Sequence, residues 1–508
     1  MDRRALALAV SSGLLLAASF PAVDVSILAW VGLVPLLLAL RTRTPQQAFW
    51  LGGLAGIVSF AATISWVTNS VHSYGRVPLL PASGITLLLC AYCALYLALF
   101  SAAAVPLRRD RPALFFLAAP ALWTALELAR TYVFSGFPWA LLGYSQYRNP
   151  LLIQIADIFG VYGMSFLIVL VNAALLELVE NRKQLRPVIS AALILAAVFA
   201  YGSYRLQHTG TAGNITVSVV QGNIEQDRKW DPAYRSDVTA TYKRLTRKAL
   251  DERPDLVIWP ETATPFYFGG TDAPYPALSE DLKRFVRSSR TPLLFGSATY
   301  ERKDRRHLLR NSAFFLDGDG AVDDVYSKHH LVPFGEYVPL KDSLFFFMNK
   351  IVHGPGDFVP GSEYTVVGVR SAAAGTNIPF STVICYEIIF PDLVREFVGR
   401  GARVMTTITN DAWFGRTGMP YQHFAMSVFR AVENHVPVAR AANTGVSGFI
   451  DANGRILETS GIFTEAVLTR TLSAGAAKTF YTRYGDLFSY LCVLASLTAL
   501  ALPAKSKK

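Results

Sequence analysis

The chain has 508 residues, of which 52% are hydrophobic and only 17% charged, and its formal net charge is +11. This composition is too apolar for a soluble protein of that length and indicates segments that cross a membrane. A positive charge can indicate nucleic-acid binding, but here the basic residues flank apolar segments, so we expect no nucleic-acid partner.

The first two hundred residues predict seven membrane-spanning helices, and an eighth follows near the C-terminus. The predicted spans cover residues 5–20, 26–40, 48–68, 83–105, 113–132, 155–179, 187–204 and 485–503. Between about 214 and 475 the composition becomes mixed, with regular turn residues, as is typical of a globular domain. We therefore expect a membrane domain over 1–210, a globular domain over 211–478, and a last span with a basic tail over 479–508.

The positions of the basic residues predict the orientation of these spans. They cluster before span one, in alternate connections and at the C-terminus, as Arg3, Arg4, Arg41, Arg43, Arg108, Arg109, Arg111, Arg182, Lys183, Arg186, Lys505, Lys507 and Lys508. By the positive-inside rule both termini are cytoplasmic and the globular domain is exported. A cleavable signal peptide is a second interpretation of residues 1–23, but another apolar segment follows almost at once, which favours a retained anchor.

Cys385 is the only cysteine in the predicted exported domain, because Cys90 and Cys93 lie in the fourth span and Cys492 in the eighth. A domain stabilised by disulfides would contain an even set, so Cys385 is predicted to be a free thiol. An isolated cysteine is most often a small buried hydrophobic residue. For Cys90 and Cys93 we expect helix packing rather than redox chemistry.

Three segments of the domain share one form, in which a strand-like apolar run ends at a polar residue and a turn. Glu261 ends "DLVIWPE", Lys328 ends "VDDVYSK", and Cys385 ends "STVIC". Each group alone has an ordinary structural explanation, such as a solvated turn or a surface lysine. Together they supply a carboxylate, an amine and a thiol at three strand ends, where α/β and α+β folds place their active sites.

These three groups suit acyl transfer through a thioester. A carboxylate can take the thiol proton, and an ammonium favours the thiolate and then stabilises the oxyanion, together with a backbone N–H such as that of Tyr386. A Cys–His pair is the alternative, because His329 adjoins Lys328 and would make activity depend on pH near neutrality.

The three segments resemble the signature motifs of the nitrilase superfamily, whose members use a Glu–Lys–Cys triad on an α-β-β-α sandwich. The segment "ITVSVVQGNI" is similar to the opening strand of that fold, and "TNDAWFG" resembles the turn after the strand that follows the nucleophile. Seven spans before the domain and one after it narrow the resemblance to the apolipoprotein N-acyltransferase family, over essentially the whole chain.

The resemblance implies a ping-pong reaction at the bacterial inner membrane, catalysed on its periplasmic side. Cys385 would take an acyl chain from a phospholipid, commonly phosphatidylethanolamine, and pass it to the α-amino group of a diacylglyceryl-cysteine that begins a lipoprotein. By the same resemblance Glu336 would orient Lys328 or Glu261, Tyr386 and Glu387 would shape the pocket, and Trp230 would lie near the substrate. Trp230 is equally well explained as a half-buried aromatic anchor. No metal or cofactor is expected.

Two aromatic segments suggest contact with lipid. Residues 340–353 contain Phe345, Phe346, Phe347 and Met348 between basic residues, a pattern that fits an arm at the headgroup region or a core segment. Residues 134–150 contain Phe137, Trp139 and Tyr144, which suit an interfacial belt. At the exported end of span five, we expect Glu127 and Arg130 to pair with each other.

Two other functions remain compatible with the sequence. A membrane-tethered amidase or nitrile hydrolase would use water as the second nucleophile, and a transporter would use the domain as an accessory. The spans contain few ionisable residues at mid-depth, which argues against transport. The eight histidines show no zinc-binding spacing, which argues against a metalloenzyme.

Overall fold

The computed structural model describes residues 2–229, 231–269, 275–303, 306–337 and 358–502. The N-terminal half is helical, and the rest combines two sheets with helices. The helices are α1 Arg3–Ala18, α2 Val34–Ala39, α3 Pro45–Ile64, α4 Trp66–Asn69, α5 Leu79–Asp110, α6 Pro112–Tyr132, α7 Pro150–Ile153, α8 Ala156–Glu180, α9 Arg186–Gln207, α10 Gln226–Lys229, α11 Arg235–Leu250, α12 Pro276–Ser289, α13 Pro391–Gly399, α14 Met419–Asn434, α15 Phe480–Tyr484 and α16 Leu487–Ala501.

Five of the described helices, α3, α5, α6, α8 and α9, are long and apolar enough to cross a membrane. The predicted count of eight is therefore not confirmed: α1 has 16 residues and α16 has 15. The span predicted over 26–40 is likewise not confirmed, because the stretch is not one regular α-helix. That stretch forms a 3₁₀ turn over Ser26–Trp30 and the six-residue α2, separated by a turn that contains Gly32.

Small residues bring α3 and α5 into close contact. A Cβ on Gly56 would lie 2.7 Å from the Cα of Ala94, and one on Gly52 would lie 2.6 Å from the carbonyl oxygen of Leu97. Apolar side chains gain little by leaving lipid for one another, so close backbone packing of this kind is a main source of helix association in a bilayer. The two glycines therefore fix the distance between these helices.

The described part of the C-terminal half contains two six-stranded sheets. The first has the order β12-β1-β2-β3-β4-β5 and the second β11-β10-β9-β8-β7-β6. The strands are β1 Thr211–Gln221, β2 Leu256–Ile258, β3 Leu293–Lys303, β4 Arg306–Leu316, β5 Val322–Ser327, β6 Val367–Arg370, β7 Asn377–Ile384, β8 Val404–Thr409, β9 Val438–Ala442, β10 Gly448–Ile450, β11 Ile456–Thr459 and β12 Ala466–Gly475.

The two sheets pack face to face between two layers of helices, as the predicted α-β-β-α sandwich requires. Phe315 of β4 meets Phe380 of β7 across the sheets, with ring centroids 6.3 Å apart. On the first sheet α11 and α12 contribute buried Tyr242 and Val286 to an outer apolar cluster. On the second sheet α13 and α14 form the other layer, and their apolar residues join the core that continues into the helical half.

Buried polar contacts join α14 to the helical half of the chain. Arg430 donates a hydrogen bond to the Tyr144 hydroxyl (2.9 Å), and Glu433 accepts the backbone N–H of Val161 (3.0 Å). Because these groups lie away from water, each one depends on the partner supplied by the other half. The helix that carries them is therefore firmly docked.

The predicted ion pair between Glu127 and Arg130 is not formed. Glu127 instead accepts the backbone N–H of Leu142 (2.7 Å), and Arg130 donates to the carbonyl oxygens of Trp139 (2.8 Å) and Ala140 (3.4 Å). Irregular backbone in apolar surroundings needs hydrogen-bond partners, and these two side chains supply them. Both residues therefore hold the loop 136–142 against α6.

Candidate active site

Three strand ends bring Glu261, Lys328 and Cys385 together, as the sequence predicts. Glu261 follows β2 by three residues, while Lys328 and Cys385 immediately follow β5 and β7. All three are buried. Gly296 of β3 makes room for the first turn, because a Cβ there would lie 2.6 Å from the Cα of Glu261. One expectation was wrong in detail: β5 is an edge strand with largely exposed residues rather than an apolar run.

The carboxylate of Glu261 is held by hydrogen bonds on both oxygens. Oε1 accepts from the side-chain amide of Asn311 (2.7 Å), and Oε2 accepts from the backbone N–H of Asn410 (2.9 Å). The Nζ of Lys328 lies 3.7 Å from Oε1. These contacts fix the carboxylate while leaving lone pairs on each oxygen, as a general base needs.

Lys328 is fully buried and lies between two carboxylates. Its Nζ is 2.9 Å from Oε2 of Glu336, nearer than it is to Glu261. The amide of Asn311 also donates to Glu336 (2.9 Å), so one side chain links the two acids. Burial alone would lower the pKa of Lys328, but the Glu336 and Glu261 carboxylates outweigh it and raise that pKa. Lys328 is therefore a permanent cation of the site.

Cys385 occupies a sharp turn at the end of β7. Its φ is +53°, in the left-handed region that residues other than glycine seldom adopt, and a 3₁₀ turn follows over Cys385–Ile389. Such strain, of order 1–3 kcal/mol, is characteristic of functional sites. Burial and the Glu261 carboxylate raise the pKa of the Cys385 thiol, and the Lys328 ammonium lowers it. Both partners thus act electrostatically on the sulfur.

Tyr386 and Glu387 complete the turn. The hydroxyl of Tyr386 donates to the carbonyl oxygen of Gly136 (3.3 Å), in the loop 136–142. Glu387 accepts the Tyr326 hydroxyl and three backbone N–H groups, those of Ile384, His329 and His330. Burial raises the pKa of Glu387 to about 7 and these hydrogen bonds oppose the rise. Glu387 therefore joins the segments that bear Lys328 and Cys385.

Sequence reasoning missed three residues at this site: Asn311, Lys229 and His423. Asn311 lies within β4, Lys229 donates to the carbonyl oxygen of Glu261 (2.9 Å), and the Nε2 of His423 lies 3.1 Å from the carbonyl oxygen of Cys385. The asparagine had no local signal within its strand. Lys229 did have one, since it immediately precedes Trp230.

The structure gives no support for the roles of the remaining predicted residues, for different reasons. Trp230 and the aromatic segment 340–353 lie outside the described residues. The Nε2 of His329 is 3.1 Å from the carbonyl oxygen of Glu363, and its ring packs on Tyr326 and Tyr364. This environment gives no support to a Cys–His pair through His329. In the described ranges no group of three His, Cys, Asp or Glu residues could hold a metal ion.

Two family models match the sequence and identify the class of protein. The carbon-nitrogen hydrolase family model matches residues 216–481, and the model of the apolipoprotein N-acyltransferase N-terminal domain matches 12–174. The C-terminal half is therefore a nitrilase-like domain, joined to an N-terminal domain of a defined type. A nitrilase-superfamily protein of Saccharomyces cerevisiae, Nit3, is 18% identical with a TM-score of 0.40, covering 52% of this chain and 91% of its own.

Full-length relatives then give the family. The chain is 42% identical to the apolipoprotein N-acyltransferase of Geobacter metallireducens, over 100% of this chain and 96% of the relative. It is 33% identical to that of Haemophilus influenzae, over 96% and 93% respectively. The chain belongs to the apolipoprotein N-acyltransferase family, and the resemblance drawn from its motifs is confirmed.

Proposed function

We propose that this protein transfers an acyl chain from a membrane phospholipid, through a thioester on Cys385, to the α-amino group of the N-terminal diacylglyceryl-cysteine of lipoproteins. The observation that carries this proposal is the meeting of Glu261, Lys328 and Cys385 at three strand ends in a chain of this family. Phosphatidylethanolamine is the proposed donor.

In the first half-reaction Glu261 accepts the proton of the Cys385 thiol, and the sulfur attacks the ester carbonyl carbon of the phospholipid. The oxyanion that forms is stabilised by the Lys328 ammonium and the Tyr386 backbone N–H. The ester C–O bond then breaks, and Glu261 returns its proton to the departing glycerol oxygen. The lysophospholipid leaves, and the acyl chain remains on sulfur.

In the second half-reaction the neutral α-amine of the acceptor attacks the thioester carbon. Glu261 takes a proton from the attacking nitrogen, and the same two donors stabilise the second oxyanion. The C–S bond breaks and the thiolate recovers a proton from Glu261. The products are an amide on the lipoprotein and free Cys385.

Supporting roles are assigned to the surrounding residues. Glu336 holds Lys328 protonated through the 2.9 Å contact, and Glu387 links the Lys328 and Cys385 segments. Tyr386 supplies the oxyanion donor and contacts the loop 136–142. We also propose that Trp230 lies near the substrate.

The proposed topology places the enzyme in the bacterial inner membrane with its active site on the periplasmic side. The domains are a membrane domain over 1–210, a catalytic domain over 211–478, and a last span with a basic tail over 479–508, with both termini cytoplasmic. The positions of the basic residues support this arrangement. Protease added to spheroplasts should cleave within 211–478, whereas cleavage only in inverted vesicles would contradict the orientation.

Transfer to a defined acceptor tests the function. Purified protein is incubated with phosphatidylethanolamine vesicles and a synthetic peptide that begins with diacylglyceryl-cysteine, and the peptide is analysed by mass spectrometry. We expect a gain of one acyl chain on the α-nitrogen, and no gain with Cys385→Ala. Release of free fatty acid without peptide acylation would instead indicate a hydrolase.

A further inference from the structure

His423 is fully buried, and its ring contacts define its protonation state. Nε2 lies 3.1 Å from the carbonyl oxygen of Cys385, which can only accept a hydrogen bond. Nδ1 lies 2.9 Å from Nη2 of Arg440, which can only donate, and 3.3 Å from Oδ1 of Asp411, which can only accept. Nε2 therefore carries a proton, and the shorter contact of Nδ1, with Arg440, favours the neutral ring. Burial and the Arg440 guanidinium lower the pKa of His423 more than the Asp411 carboxylate raises it, which agrees with this assignment.

The ring is held in place from its far side. Asp411 accepts from Nη2 of Arg440 (2.9 Å) and from the Thr409 hydroxyl (2.9 Å), and all of these groups are buried. The Arg440 guanidinium and the Thr409 hydroxyl lower the pKa of Asp411 to about 2 despite its burial, so the acid stays ionised and keeps Arg440 fixed. The imidazole has little freedom to turn away from Cys385.

The carbonyl that His423 contacts belongs to the same peptide unit as the Tyr386 N–H. A trans peptide is planar, so its C=O and N–H point in opposite directions, and no cis peptide occurs among the described residues. Rotation of this unit would turn the N–H away from the oxyanion and bring the carbonyl oxygen towards it. Because Cys385 already has a strained φ of +53°, the unit needs an external restraint.

We propose that His423 is a positioning residue that holds the Cys385–Tyr386 peptide in one orientation, so that the Tyr386 N–H points at the oxyanion. This inference rests on the proposed function, since it concerns the oxyanions of both half-reactions. His423 does not exchange protons with the thiol. Its role is to hold a hydrogen-bond donor that lies one residue beyond the nucleophile.

Hydrogen bonds of the residue next to His423 connect it to the helical half of the chain. Gln422, next to His423 on α14, donates to the carbonyl oxygens of Pro21 and Thr63 and accepts from the indoles of Trp66 (3.2 Å) and Trp139 (2.7 Å). The Trp139 ring also lies 5.7 Å from the His423 ring. Docking of α14 into the helical domain thus orients His423.

Two polar variants of His423 test the proposal. The side-chain amide nitrogen of His423→Gln matches the position of Nε2 and can donate to the Cys385 carbonyl, whereas that of His423→Asn matches Nδ1 and cannot reach it. Two rates are measured on the full-length protein: acyl-enzyme formation with phosphatidylethanolamine vesicles, and alkylation of Cys385 by iodoacetamide, located by peptide mass spectrometry. Alkylation needs the thiolate but forms no oxyanion.

We expect His423→Asn to form the acyl-enzyme at least about tenfold more slowly, approaching the 10²- to 10³-fold cost of losing one oxyanion donor. His423→Gln should stay within about fivefold of wild type, and both variants should be alkylated at the wild-type rate. His435→Asn is the matched control, because His435 is also buried on this segment and pairs with Asp157 (3.1 Å), away from Cys385. It should form the acyl-enzyme at the wild-type rate.

The outcomes separate the two proposals. Equal acylation rates for His423→Gln and His423→Asn would overturn the role of His423, and so would a parallel loss of acylation and alkylation. If the wild-type protein is alkylated but forms no acyl-enzyme, the proposed function itself fails.

Discussion

Two buried lysines lie beside the thiol of Cys385, and the protein holds them in opposite ways. Lys328 contacts the carboxylates of Glu336 (2.9 Å) and Glu261 (3.7 Å), which raise its pKa. Lys229 donates to the carbonyl oxygen of Glu261 and forms no ion pair within the described ranges, so burial lowers its pKa to about 7. Burial is similar at the two positions, and the partner decides the charge.

Because their pKa values differ, the two lysines should have different roles. Lys328 remains an ammonium throughout the proposed cycle and can stabilise an oxyanion at any working pH. Lys229 exchanges its proton near neutrality and fixes the backbone of Glu261, next to Thr262, whose φ is +47°. Removing one or the other should therefore change different observables.

Lys328→Met should have the largest effect. It removes the oxyanion cation and leaves Glu261 and Glu336 facing each other without a counter-charge. We expect acyl-enzyme formation to fall by at least about 10³-fold and unfolding free energy to fall by about 3–5 kcal/mol. Intact mass and thermal unfolding of the purified protein measure both. Activity within tenfold of wild type would rule out Lys328 as the oxyanion cation.

Glu336→Gln should have an intermediate effect. The new amide would meet three donors, the Asn311 side chain, the Val332 N–H and the Lys328 ammonium, and the charge that raises the pKa of Lys328 is lost. We expect acylation about 10- to 100-fold slower, with the alkaline limb of its pH profile moved to lower pH because Lys328 deprotonates sooner. Glu363→Gln, at an exposed position, is the control. An unmoved alkaline limb would contradict the role of Glu336.

Lys229→Met should change the pH dependence of stability. Between a folded pKa of about 7 and an unfolded one of about 10.4, the unfolded chain binds more protons. Wild-type stability should therefore rise with pH in this window, by up to about 5 kcal/mol from this group. Lys229→Met lacks this pH-dependent contribution. The Tm of the variant minus the Tm of wild type should therefore be more positive at pH 7 than at pH 9.

The matched control for this variant is Lys283→Met, which removes a lysine from a partly exposed pair with Glu280. Its Tm difference from wild type should be nearly the same at both pH values. If Lys229→Met behaves like this control, Lys229 is charged in the folded protein at both values and the contrast with Lys328 disappears.

The sequence predicted the positions of the three proposed catalytic residues, which lie at strand ends. Glu261, Lys328 and Cys385 each follow a strand directly or after a short turn, and that local pattern was sufficient. His423 and Asn311 were missed because they reach the site from the middle of α14 and β4, where nothing local distinguishes them from core residues. Their contribution depends on tertiary contacts.

In the helical half the sequence was a poorer guide to local structure. Apolar composition located the segments but could not separate a continuous span from the broken stretch at 26–40, because periodicity is uninformative when most residues are apolar. The spacing of Glu127 and Arg130 favoured an ion pair, yet the backbone of the loop 136–142 competes for both side chains. Loop hydrogen bonding cannot be deduced from helical spacing.

The mass of the intact protein after exposure to phosphatidylethanolamine vesicles, without an acceptor, shows directly whether Cys385 carries the acyl chain. We expect an increase equal to one acyl chain, located on Cys385, removed by neutral hydroxylamine and absent in Cys385→Ala. An acyl chain on any other residue, or transfer to the acceptor peptide by Cys385→Ala, would contradict the proposed thioester on Cys385.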